Sequence, residues 1–204
     1  MAVRSLAQIP TLTCLYELGN LKSTTTSPHS TPSASINDRI SVHRGDITKL
    51  PLDAIVNAAN TSLLGGGGVD GAIHRAAGPA LLTECRTLHG CPVGGAKITE
   101  GYALPAKHVI HTVGPVYYRV GPERAEALLR SCYEESLRVA REAGLESVAF
   151  SGISTGVYGY PSREAAEVAC RAVRGVLEKD AELKRVVFVT FEQKDVDAYN
   201  EVLP

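Results

Sequence analysis

Four consecutive glycines, Gly65 to Gly68, interrupt a segment that runs AIVNAANTSLL before them and VDGAIHRAA after them. Each glycine forfeits about 0.5–1 kcal/mol relative to alanine inside regular structure, so such a run marks a place where the bare backbone is put to use. Backbone N–H groups in a glycine stretch can approach an anion closely. A helix beginning near Val69 would aim its positive end at the same point. Two familiar glycine motifs fit poorly. Gly66, Gly68 and Gly71 match the spacing of a dinucleotide fingerprint, but Asp70 inside it would oppose a pyrophosphate, and no strand ends within a residue or two of the turn. A nucleotide-triphosphatase loop would need Lys-Ser or Lys-Thr after the glycines, and neither is there.

The chain has 204 residues, 44% hydrophobic and 21% charged, enough for one domain with a real core. Its 21 basic and 22 acidic residues leave a formal net charge of -1, so no strong field draws it to nucleic acid or to an anionic membrane. A phosphate-bearing ligand must therefore be held by local geometry. Cys14, Cys85, Cys91, Cys132 and Cys170 show no close pair or repeated spacing. They read as reduced thiols, and with no secretory signal pattern or membrane-length apolar run they point to an intracellular, membrane-free, monomeric protein, in the cytoplasm or nucleus.

Short β-rich runs fall at 39–43, 52–58, 107–113, 146–152 and 184–190, several of them almost continuously apolar, as strands covered on both faces are. Helical periods occupy 123–143 and 162–178. The alternation predicts a largely parallel sheet with helices on both faces, and ligands then sit beyond the carboxyl ends of the strands. Residues 23–35, STTTSPHSTPSAS, have little to bury and read as a flexible linker. Residues 1–35 thus form an extension, whose apolar IPTLTCLYELGNL suits a peripheral helix, and residues 36–204 form the domain.

The residues just after the strands carry the candidate chemistry. Asp70 and His74, four apart, share a helical face, where a carboxylate could orient or deprotonate a water with histidine assisting; a capping Asp beside a solvent-facing His is the plainer reading. Asn57 and Asn60 follow an apolar strand and could hydrogen-bond sugar hydroxyls. In the second loop, Ser154, Thr155, Gly156 and Val157 offer successive backbone donors for a diphosphate, and Tyr158 could lie over a ribose; Tyr158 and Tyr160 could instead plug the core. Asp46 suits either an exocyclic amine or a turn, and Phe191 either a stacked base or the core. The segment 90–99 could bring Lys97 to a phosphate. His111 reads as a satisfied structural histidine. No HExxH or close ligand spacing occurs among the histidines, so no metal or other cofactor is expected.

The pieces RGDIT, LDAIVNAANTSLLGGGGVDGAIHRAAGP, GGAKITEGYALPAKHVIHTVGP, ISTGVYGYP and VVFVTFEQKD together resemble the macrodomain family, and within it the MacroD-type ADP-ribosyl hydrolases. The resemblance implies a three-layer α/β sandwich, a mixed central sheet with helices on both faces, holding ADP-ribose in a surface cleft. By position, Asp46 would bind the adenine amine, with the Ile47 backbone beside it and Phe191 stacking on the base. Asn60 would hydrogen-bond the distal ribose, Gly67, Gly68 and Val69 would line it and the diphosphate, and Ser154 to Tyr158 would close over phosphates and sugar. Asp70 would be the main catalytic carboxylate, assisted by His74. The implied partners are mono-ADP-ribosylated proteins, cleaved at aspartate and glutamate esters, and O-acetyl-ADP-ribose, which would be deacetylated. A non-catalytic reader of ADP-ribosylated proteins, or a phosphatase acting on ADP-ribose 1''-phosphate, would need the same binding residues.

Overall fold

The structure, a computed structural model, describes residues 5–19, 21 and 33–203. Along the chain run α1 (Leu12–Glu17), α2 (Ala34–Asn37), β1 (Ile40–Arg44), β2 (Ala54–Ala59), α3 (Gly68–Ala77), α4 (Pro79–Thr87), β3 (Ala96–Glu100), β4 (His108–Val113), α5 (Tyr117–Val120), α6 (Pro122–Glu142), β5 (Ser147–Phe150), α7 (Ser162–Leu177), β6 (Arg185–Thr190) and α8 (Gln193–Val202). The strands form one six-stranded sheet in the order β1-β6-β5-β2-β4-β3. All neighbours are parallel except β3, which runs antiparallel to β4 at the edge.

The expected strands all form, with ends shifted by a residue or two. The segment 90–99, expected as a loop reaching the site, instead turns into β3. Its alternation is hidden because AKITE buries only Thr99 fully and mixes lysine and glutamate into an edge strand, where charged side chains suit the exposed margin. Residues 23–32 of the expected linker lie outside the described residues. Its last residues already enter α2, whose Ile36 is buried in the core.

The period-2 alternation of the central strands splits the core in two. Ala54, Val56, Ile110, Val148, Phe150, Val186 and Phe188 face one side, where they meet Leu129, Cys132, Tyr133 and Leu137 of α6, Ala169 and Val173 of α7 and Tyr199 of α8. Leu12 of α1 and Leu21 join this layer, so the N-terminal segment packs into the domain. On the opposite face, Ile55, Ala59, Val109, Val113, Ala149 and Val187 meet Ile73 and Ala77 of α3 and Leu81 and Cys85 of α4. Helices therefore cover both faces, giving three layers. The strands β2, β4, β5 and β6 are shut off from water along nearly their whole length, which explains their nearly unbroken apolar runs.

One consequence matters for the site. Because the strands other than β3 are parallel, the residues that follow β1, β6, β5, β2 and β4 emerge side by side along one edge of the sheet. No described helix is long and apolar enough to cross a membrane.

Phe150 sits where this sheet meets α6, 1% exposed, with its ring centroid 4.9 Å from Tyr133 and 6.4 Å from Phe188. Phe150→Ala is expected to cost about 3–5 kcal/mol of stability, the range for emptying a packed aromatic site, read as a lowered midpoint in urea unfolding.

Candidate active site

At the end of β2 the backbone turns through Asn60 into the glycine stretch. Asn60 organises that turn: its Oδ1 accepts from the Ser62 N–H at 3.0 Å and the Ser62 hydroxyl at 2.6 Å, while its Nδ2 donates to the Gly65 carbonyl at 2.8 Å. Gly65 and Gly68 adopt φ of 84° and 58°, a region that side chains rarely enter. At Gly66 the reason for glycine is space, since a Cβ would lie 3.0 Å from Asp70 Oδ2 and 3.3 Å from Asn60 Nδ2. The N–H groups of Gly66 to Val69 have no protein acceptor among the described residues, and α3 starts there with its positive end. Leucine at Leu64 is about half exposed at the rim of this loop.

Asp70 occupies the first turn of α3 and is only 4% exposed. Its Oδ1 accepts a 2.7 Å hydrogen bond from Asn57 Nδ2, and His74 Nε2 stands 3.5 Å from the same oxygen. The Oδ2 atom has no protein partner and faces Gly66. Burial pushes the Asp70 carboxyl above its ordinary range, against the Asn57 hydrogen bond and the nearby His74. A carboxylate so placed is a stronger base than one in water.

Asn57 corrects a sequence expectation. It is completely buried in β2, so it cannot contact a ligand directly as expected. The parallel register pairs it with His111 of β4, and the Asn57 amide that donates to Asp70 also lies 3.1 Å from His111 Nδ1. Since the amide donates both hydrogens, His111 Nδ1 must accept, and the proton resides on Nε2, which donates to Thr99 Oγ1 at 3.0 Å. Thr99 in turn reaches the Val109 carbonyl at 3.4 Å. Burial, with a lesser contribution from His74, drives the His111 imidazole down to about 3, so it stays neutral. The expected structural histidine is thus the second member of a chain that runs from β3 to Asp70 and points the carboxylate. No short motif shows this, because Asn57, Thr99 and His111 meet only through strand pairing.

The second loop follows β5. Ser154 takes φ of 66°, unusual for a residue with a side chain, and its buried hydroxyl has no hydrogen-bond partner in the structure. The loop is pinned from outside, by Tyr160 N–H to the Ser154 carbonyl at 3.0 Å, Tyr117 N–H to the Tyr158 carbonyl at 2.9 Å and Lys194 Nζ to the Thr155 carbonyl at 2.9 Å. Pinning by its carbonyls leaves the N–H groups of Thr155, Gly156 and Val157 without a protein acceptor among the described residues. Val157 is 92% exposed at the tip, Tyr158 is half-buried, and Tyr160 is the residue that plugs the core, its ring tilted 55° against that of Tyr117.

After β1, Asp46 is exposed, and its Oδ1 accepts from the Thr48 N–H at 3.0 Å and hydroxyl at 2.7 Å, capping a short turn. The capping leaves Oδ2 without a protein partner, so turn formation and an amine contact are compatible. Ile47 buries its side chain at 4% exposure. Phe191, after β6, is 79% exposed, so it is not the core residue that was the alternative. Lys97 does not reach this edge: it lies on β3, its Nζ donating to the Leu88 carbonyl at 2.5 Å. Below the site, His74, Cys85 and His111 bring three ligand-type atoms within 4.8 Å of one another, though they are too far apart in sequence for a metal motif.

Two pinned loops with unclaimed backbone donors flank a buried carboxylate between sheet and helix, within a three-layer α/β domain. The model of the macro domain matches residues 56–169. A Macro domain-containing protein of Methanosarcina mazei is 57% identical over 158 residues, 78% of this chain and 83% of that protein. The ADP-ribose glycohydrolase MACROD1 of Rattus norvegicus is 55% identical over 179 residues, covering 87% of this chain and 69% of that protein. Among solved structures, a Trypanosoma brucei macrodomain in complex with ADP-ribose superposes with a TM-score of 0.84 at 41% identity, over 100% of this chain and 77% of that one. The chain belongs to the macrodomain family.

The raised carboxyl of Asp70 carries a stability consequence. Below the ordinary carboxylate range, folded and unfolded chains both hold the proton and burial costs nothing; as pH rises through the elevated folded value, the folded state must keep an ion out of water and stability is lost. Asp70→Asn, which retains an oxygen for Asn57, is expected to raise the urea midpoint at neutral pH, with the gain shrinking on acidification. Equal midpoints at neutral pH would count against a burial-strained carboxylate.

Proposed function

We propose that the protein is an ADP-ribose-binding hydrolase of the MacroD kind, which cleaves the ester between the distal ribose of ADP-ribose and aspartate or glutamate side chains, and which also deacetylates O-acetyl-ADP-ribose. The observation that carries this reading is the order of groups along the carboxyl edge. Sheet order places Asp46 after β1, Phe191 after β6, the Ser154 to Tyr158 loop after β5, and Asn60 with the glycine loop after β2. In this reading that line matches the parts of ADP-ribose in sequence: amine and base at Asp46, the Ile47 backbone and Phe191; diphosphate between the two sets of free N–H groups; distal ribose at Asn60, Gly67, Gly68 and Val69. Tyr158 covers the sugar. Names of relatives support the same assignment, since MACROD1 is an ADP-ribose glycohydrolase and the Trypanosoma brucei macrodomain was crystallised with ADP-ribose.

With the distal ribose over Gly66 to Gly68, Asp70 Oδ2 faces the ester-bearing end. Asp70 orients a water there, and either Asp70 or a phosphate oxygen takes one of its protons as the remaining hydroxyl adds across the ester. The ester C–O bond breaks, leaving a free carboxyl on one product and a ribose hydroxyl on ADP-ribose. His74, beside Oδ1, assists the proton's departure. Rate comes from position and polarisation, because the sequence carries no nucleophilic serine or cysteine motif.

The hydrolase reading is preferred over a non-catalytic reader because recognition alone gives no reason to bury a carboxylate at the cost of its raised pKa. Release of ADP-ribose from a carboxylate-modified protein is expected for the wild type. Asp70→Ala is expected to slow it by about 10²–10⁴-fold, the usual weight of a general base, while calorimetric binding of ADP-ribose persists. Stoichiometric binding without turnover of carboxylate-linked, serine-linked or O-acetyl substrates would overturn the enzymatic reading. The wild-type rate is expected to rise with pH along a limb set above the ordinary carboxylate range, because only ionised Asp70 accepts a proton and burial raises its pKa. A rate independent of pH across that range would argue against Asp70 as the base.

A further inference from the structure

The inner wall of the cleft holds donor atoms that the hydrolytic step does not use. Cys85, on α4, is fully buried, and its Sγ lies 3.7 Å from His111 Nε2 on β4. His74 Nε2, on α3, is buried and makes no hydrogen bond, although Asp70 Oδ1 stands 3.5 Å away. A buried ring nitrogen with no partner is costly to retain, and here it faces a thiol and a second imidazole. Among the described residues, His74, Cys85 and His111 are the group whose ligand atoms gather within 4.8 Å.

We propose that His74, Cys85 and His111, with water in the fourth position, form an inhibitory binding site for a thiophilic divalent cation, zinc by its donor set. Two imidazoles and a thiolate are ligands that zinc accepts in tetrahedral sites, where water can complete the four. Zn–N bonds of about 2.0–2.1 Å and a Zn–S bond of about 2.3 Å give a tetrahedral N···S edge of roughly 3.5 Å. The observed Cys85 to His111 distance of 3.7 Å is close to that edge. Charge balances as well. A dication with one thiolate keeps one positive charge, which the Asp70 carboxylate beside His74 offsets.

The protons can be followed. His111 carries its proton on Nε2, toward Thr99, while Nδ1 accepts from the Asn57 amide. Coordination expels the Cys85 thiol proton to solvent. His111 must free Nε2 by moving its proton to Nδ1. The Asn57 Oδ1, which is buried without a partner, becomes the acceptor once the amide turns over. Asp70 then loses its amide donor and stands beside the cation's charge. The cation thereby takes His74 from the cleft and removes the Asn57 support of Asp70, which is why it would inhibit. Entry is from the cleft side, where the His74 side chain is 12% exposed.

Binding stands on this cluster alone, whereas inhibition rests on the hydrolase reading, and the two are read separately. Metal-free full-length protein is equilibrated with micromolar Zn²⁺ and dialysed, and retained zinc is counted per chain; Co²⁺ is used in parallel for a thiolate-to-metal charge-transfer band. One zinc per chain, one proton released by the thiol, and a thiolate band are expected. Cys85→Ala, checked for wild-type circular dichroism, and His74→Ala are expected to lose both signals. Zinc should suppress ADP-ribose release by the wild type at least tenfold, reversibly with a chelator, while Cys85→Ala turns over and resists zinc. No retained zinc, or equal retention and band in Cys85→Ala, would overturn the site. Zinc held through Cys85 without slowing an active wild type would overturn the inhibitory role. A thiolate-bound zinc in a protein inactive even when metal-free would instead refute the hydrolase reading and leave the binding site supported.

Discussion

A carboxylate kept almost dry at the start of a helix is the feature around which the rest of this domain is arranged. Asp70 is 4% exposed and its carboxyl is raised by burial, a state the fold would shed if nothing opposed it. Three things do. The positive end of α3 lies beneath it, Asn57 donates to its Oδ1, and neutral His111 with Thr99 holds the Asn57 amide in the orientation that donates. The chain of hydrogen bonds crosses three adjacent strands, so the geometry around Asp70 is set by the middle of the sheet.

The loops follow a complementary logic. In both, the carbonyls and side chains are tied down by the protein while the backbone N–H groups are left over: Asn60 ties the glycine loop, and Tyr117, Tyr160 and Lys194 tie the Ser154 loop. A domain with a net charge of -1 needs such an arrangement, because directed dipoles at close range replace the attraction that excess lysine and arginine would otherwise supply. The left-handed Ser154 and the apolar tips Val157 and Phe191 are then local irregularities concentrated at the edge where a ligand would be enclosed.

Much of this was legible beforehand, and the misses are instructive. Apolar runs at 52–58, 107–113 and 184–190 became strands because burial on both faces leaves a signal that does not depend on neighbours. Asp70 and His74 came together because helical periodicity is local. β3 was missed because a half-exposed edge strand carries lysine and glutamate and blurs its alternation. Asn57 was placed in the cleft when it belongs under it, since the direction of a side chain at a strand end depends on register by a single residue. Lys97 looked available until its strand was seen on the far edge, with its ammonium already bound to Leu88.

What the sequence determined by itself was therefore local or compositional: the glycine turn, the helix that follows it, the two-faced burial of the central strands, and the family to which their motifs belong. Tertiary structure alone decided which strands are neighbours. From that came the order of groups along the binding edge, the Thr99–His111–Asn57 line behind Asp70, and the meeting of His74, Cys85 and His111. The physical reason is that pairing and register depend on how all the apolar faces are buried at once, so contacts between residues tens of positions apart leave no mark in the spacing around any one of them.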